Sequence, residues 1–213
     1  MCLPEFEEEL VDEETAREIM EGNFIGTKQA AKHFDIKIDQ KKIPFSEEVL
    51  RQHKTSHILF FAGSSNNKGK SLNINYFART FPEIFSKPKW YSKENFASFS
   101  CKAGWYLIKK NYLNNSNQDQ QKKSYVQLKQ EFLHRDEYIE KAVIYIYAMV
   151  LVFKAQKEKL FGNNCIWCES RDSQSRQVFV GWRSGKIYIS SWWELFDPNR
   201  NIVIAPVKKP TFF

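Results

Sequence analysis

The chain has 213 residues, 42% of them hydrophobic and 15% aromatic, with a net charge of +7. That is enough apolar material for a full core, and the longest apolar run, Ala142 to Phe153, is too short for a bilayer span, which needs about 20 residues. Four cysteines (Cys2, Cys101, Cys165, Cys168) in a chain of this size exclude a disulfide scaffold. The charge is divided: residues 1–21 hold nine acids (Glu5, Glu7, Glu8, Glu9, Asp12, Glu13, Glu14, Glu18, Glu21) against Arg17, a net of −8, so residues 22–213 carry +15. A body that basic attracts polyanions over a Debye length of about 8 Å. The acidic start shows no basic n-region and no apolar h-region, so no signal peptide is read and the expected location is cytoplasmic.

In chain order, three short helices come first. One runs from about Glu13 with Gly22-Asn23 as its stop, one spans Thr27 to Phe34, and one starts behind the N-cap Ser46, with Glu47 and Glu48 in its first turn. This divides the chain into an acidic arm (1–22), a small helical appendage (23–55) and an α+β body (56–213). His57 to Ala62 is a short apolar run and predicts a buried strand. A glycine-bearing loop leads to a helix expected from Ser71 to about Thr80, then to an aromatic stretch between Pro82 and Phe99, and to a strand at Gly104 to Ile108. Asn111 to Lys123 is rich in Asn and Gln and reads as a loop. A long helix is expected from about Asp136 to Phe161, apolar nearly all round in its middle and about 38 Å long at 1.5 Å per residue. Strands are expected at Cys165–Glu169, Gln177–Trp182, Lys186–Trp192 and Ile202–Val207, with Ser184-Gly185 as a hairpin turn. The short connections predict an antiparallel C-terminal meander packed on the long helix, in an α+β fold.

Several patterns bear on chemistry. Gly63-Ser-Ser-Asn-Asn-Lys-Gly-Lys-Ser71 sits between a strand and a helix, where a phosphate loop belongs, with Lys70 and Ser71 in the places of the phosphate lysine and the magnesium-binding serine. Its spacing is one residue too long and the antiparallel sheet is the wrong setting, so a nucleotide hydrolase is only an alternative reading. Cys165-Ile-Trp-Cys168 is a CxxC inside a β-like run, which favours packing over a redox or zinc role. His33, His53, His57 and His134 show no metal or triad spacing. Phe24 to Ile36 is similar to the opening helix of small helix-turn-helix domains, but Lys37 to Pro44 does not start a second helix. No catalytic residue, metal ligand or cofactor is assigned.

Five segments carry a resemblance: Ile43-Pro-Phe-Ser-Glu-Glu-Val-Leu50; Ser56-His-Ile-Leu59; Trp90-Tyr91 with Asn95-Phe96-Ala97; Gly104-Trp-Tyr-Leu-Ile-Lys109; and Cys168-Glu-Ser-Arg-Asp-Ser173 with Val178-Phe-Val-Gly181. Together they resemble an uncharacterised family of bacterial proteins known mainly from environmental genomes. The resemblance implies a shared domain over most of residues 15–195 and no activity, and the family pattern has no glycine-lysine loop after the His-Ile-Leu strand.

The leading expectation is a non-enzymatic binding protein whose basic body contacts nucleic acid or another polyanion. Cations supply phosphate contacts and exposed rings stack on bases. The candidate residues are Lys87, Lys89, Trp90, Lys93, Lys109, Lys110, Arg183 and Lys186. The alternative is a protein-interaction module in which the acidic arm docks on a partner or on its own body.

Overall fold

The computed structural model describes residues 10–38, 42–87, 89–110, 123–193 and 202–211. Within them seven helices and nine strands form two sheets around one long helix, an α+β architecture. The three N-terminal helices are α1 (Glu13–Met20), α2 (Thr27–Phe34) and α3 (Glu47–His53), with the two-residue strand β1 (Phe24–Ile25) between the first two. Their starts follow local chemistry. The Asp12 carboxylate accepts the Thr15 N–H at 2.8 Å, and Ser46 Oγ accepts the Val49 N–H at 3.3 Å.

Strand β2 (His57–Ala62) pairs in full with the antiparallel β3 (Gly104–Lys109). Between them lie α4 (Ile74–Thr80) and α5 (Asn95–Ser98). Helix α4 starts three residues later than the sequence predicts, because Asn73 is the residue whose side chain caps it, accepting the Tyr76 N–H at 2.8 Å. Helix α6 (Tyr125–Phe132) was not anticipated, although Ser124 and Gln127 form a reciprocal capping box there. The expected loop at 111–123 lies, apart from Lys123, outside the described residues.

The long helix is α7 (Ala142–Gln156), and it is shorter at both ends than expected. Before it, Glu137–Tyr138 forms β4, paired with Lys208 and Val207, a long-range partner that local propensity cannot register. After it, Lys157 turns left-handed (φ 64°) and returns its N–H to the Phe153 carbonyl, five residues ahead of Gly162. What remains is enclosed: Ala142 through Val152 are all buried, and the helix packs on β2 of one sheet and on β5 (Cys165–Arg171) and β6 (Gln177–Arg183) of the other. Tyr147 anchors it, with its ring 4.7 Å from Phe34, 5.6 Å from Phe77 and 6.1 Å from Phe60.

Strands β5, β6 and β7 (Lys186–Trp192) form the expected antiparallel meander. The expected strand at 202–207 is instead two. β8 (Ile202–Ile204) pairs parallel to β5, and β9 (Val207–Lys208) crosses to the other sheet after Ala205-Pro206. The sheets are therefore mixed, ordered β1-β2-β3-β9-β4 and β7-β6-β5-β8, with β1 and β2 also parallel. A proline cannot donate to a ladder, so the chain changes sheets at Pro206.

Candidate nucleic-acid interface

β7 is the edge of its sheet, and residues 85–87 and 89–94 flank it. Phe85 bridges to Ile187, the Ser86 N–H and hydroxyl both donate to the Ile187 carbonyl (3.0 and 2.9 Å), and the Trp90 indole N–H donates to the Ile189 carbonyl at 2.9 Å. At the far end the Glu94 carboxylate accepts the Ser173 N–H at 2.7 Å and its hydroxyl at 3.0 Å. These bonds occupy carbonyls that would otherwise make an open edge.

This docking gathers six of the eight anticipated residues along one strand. Lys87 and Lys93 are exposed on the docked segment, and Arg183 and Lys186 are exposed at the β6–β7 hairpin, where Ser184 and Gly185 have φ of 49° and 76°. The amines of Lys87, Lys93 and Lys186 have no partner among the described residues. Arg183 lies over the Tyr188 ring at 5.4 Å. Lys89 and Trp90 are anchors instead. The Lys89 amine donates to the Ala78 carbonyl at 2.6 Å, and the Trp90 ring is half-buried beside Phe96 and Tyr91. Trp182 is buried, its indole N–H on the Leu160 carbonyl. Exposed rings appear at the other end of β7: Trp192 is 38% and Trp193 59% exposed. At about 3.3 Å per residue the strand spans roughly 20 Å between hairpin and tryptophans.

The positive field extends from the hairpin to the end of α7. The Lys159 amine lies 3.9 Å from where a Cβ on Gly185 would stand. His33, at the end of α2, is held below its ordinary value first by burial and then by Lys32, Lys154 and Lys157. Cations near a helix C-terminus also complement its dipole, which is one reason they collect there.

Lys109 and Lys110 lie elsewhere, at the end of β3. Lys109 is opposite His57 in register, and its N–H donates to the Pro206 carbonyl at 3.0 Å. The Lys110 amine bonds the Asn23 side chain, and desolvation draws its pKa down while Glu158 acts the other way. Beside them the His53 and His57 rings meet at 4.5 Å. Across the same sheet the Lys208 amine bridges Asp136 (2.8 Å) and Glu137 (3.3 Å).

The Gly63–Ser71 loop is a tight hairpin around Asn66. Asn66 Oδ1 accepts the N–H groups of Lys68 (3.1 Å) and Lys70 (2.9 Å), its carbonyl accepts the Gly69 N–H (2.9 Å), and the Asn67 N–H goes to the Asp35 carbonyl (2.7 Å). The donors a phosphate loop would aim at its ligand are turned onto the protein's own oxygens, and two residues separate Ser71 from α4. Lys70 and Ser71 are simply exposed, and the geometry gives the nucleotide reading no support. Cys165 and Cys168 lie in β5 with no disulfide between them, and burial pushes the Cys168 thiol well up. Among the described residues no three potential ligands cluster to hold a metal ion, and no helix is long and apolar enough to cross a membrane. No family model matches the chain, and no curated protein or solved structure matches it either.

Proposed function

We propose that the protein is a non-enzymatic binding protein that holds a single strand of nucleic acid along the β7 edge. The observation that carries this reading is the exposed Lys186 and Arg183 at the hairpin and the exposed Lys87 and Lys93 on the segment docked along β7, a strand that leads to the 59% exposed Trp193. The cations contact phosphates without reading sequence, and the Trp193 indole offers a flat face to an unstacked base. Lys89 and Trp90 hold the docked segment in place rather than touching the ligand. The reading takes the cytoplasm as the place of action, and the family resemblance supplies no reaction to set against it.

The test is fluorescence-anisotropy binding of mixed single-stranded DNA and RNA oligonucleotides to the full-length protein. Four phosphate contacts at about 0.7 counterion each predict binding weaker by about 50-fold at 200 mM than at 50 mM salt. The triple variant K87E/K93E/K186E changes only exposed side chains and should lose most of the affinity together with the salt dependence. Absence of binding at 50 mM salt, or unchanged binding by the triple variant, would overturn the proposal.

A further inference from the structure

A second feature lies where β3 begins. A cleft of about 540 Å³ opens there, lined by Pro44, Lys102, Trp105, Tyr138, Glu140 and Lys209 among others. That volume is in the range of sites that enclose small ligands or short peptide segments.

One wall is the edge of β3. The strand pairs with β2 along its whole length but meets β9 at one position, Ile108 opposite Val207. Two bonds set its parity: the Lys110 N–H goes to Ser56 on the β2 side, and the Lys109 N–H goes to Pro206 on the β9 side. In an antiparallel pair these directions alternate, so odd-numbered residues of β3 address the β9 side. Trp105 therefore turns its backbone N–H and C=O toward the cleft, and neither has a partner among the described residues.

The cleft sets two lysines, Lys102 and Lys209, against one carboxylate, Glu140. The Glu140 carboxylate is engaged, accepting the Lys141 N–H at 2.8 Å and the Tyr138 phenol. The Lys102 amine makes no hydrogen bond among the described residues and acts electrostatically on Glu140, and Lys209 donates to the Arg135 carbonyl at 2.6 Å from the rim. Both lysines are exposed.

We propose that this cleft binds an extended acidic peptide segment of a partner protein, which pairs its backbone with Trp105 and sets carboxylates against Lys102 and Lys209. Addition of a strand to an open edge takes affinity from main-chain bonds and specificity from alternate side chains. The donor and acceptor of Trp105 suit a polypeptide, which offers both. A phosphodiester backbone offers acceptors only. This surface is separate from the β7 edge and stands whether or not that edge binds nucleic acid.

The experiment is NMR titration of the ¹⁵N-labelled full-length protein with acetyl-Val-Glu-Val-Glu-Val-amide, and with its lysine counterpart as control. The acidic peptide is expected to shift the Trp105 amide and slow its hydrogen exchange, and the K102A/K209A variant is expected to bind it at least tenfold more weakly. The lysine peptide is expected to leave Trp105 unmoved. No shift at millimolar acidic peptide, equal response to both peptides, or binding untouched by the double variant would overturn the proposal.

Discussion

His57 opens β2 with its ring 3% exposed. Its Nδ1 lies 2.8 Å from the Ser56 hydroxyl, its Nε2 has no partner among the described residues, and the His53 ring covers one side. Burial, with His53, Lys109 and Lys208 adding to it, pushes the imidazole down from 6.5 to about 2. The folded state therefore binds this proton far less readily than the unfolded chain. The resulting stability is complete above the unfolded value near 6.5 and is lost as pH falls from there toward 2. Over pH 6.5 to 4.5 the loss from this one group is about 2 kcal/mol at about 1.4 kcal/mol per unit. Urea unfolding at a series of pH values should show it, and His57→Gln should flatten the slope by about one proton. An identical slope in the variant would rule this account out. The sequence shows a histidine ahead of an apolar run and nothing more, because the His53 ring and β3 that cover it are placed by the tertiary fold.

At the scale of elements, caps and turns are written locally, and they were legible. Ser46 and the Ser184-Gly185 turn sit where their side chain or backbone freedom places them. Helix α6 was missed, although Ser124 and Gln127 stand at capping-box spacing at its start. Pairing partners are another matter, and Gly181 is the example. It stands opposite Cys165, and a Cβ there would lie 2.8 Å from the Asn164 carbonyl oxygen, 2.8 Å from Cys165 Sγ and 2.9 Å from Cys165 Cα. Two of these atoms are backbone and cannot swing aside. Gly181→Ala is expected to destabilise by about 2 kcal/mol, as overpacking in a core does, measured as a lower urea midpoint at unchanged m. A neutral result would mean that β5 and β6 separate more easily than their register implies.

For the whole molecule, the arm and helical appendage read from the sequence contribute to the same buried cluster as the body. Val11, Met20, Phe34 and Leu50 share it with Tyr147 and Val180, and the Phe34 ring is 5.2 Å from Phe77. Far-UV circular dichroism and tryptophan fluorescence should therefore report one coincident thermal transition. An early, separate loss of helix would show that residues 10–55 are held independently. The amino-acid sequence by itself determined the fold class, the apolar spine at Ala142–Val152, the meander and the excess of cations, because these follow from hydrophobic runs, turn residues and charge counts that neighbours in the chain settle among themselves. Only the tertiary structure decided that Lys87 and Lys93 lie on a segment docked along β7 while Lys110 turns to Asn23, that Trp90 is an anchor, and that β3 keeps an open edge at Trp105. Each of those depends on a bond between residues far apart in the chain, such as Trp90 with Ile189, and no local pattern records which distant carbonyl a donor will meet.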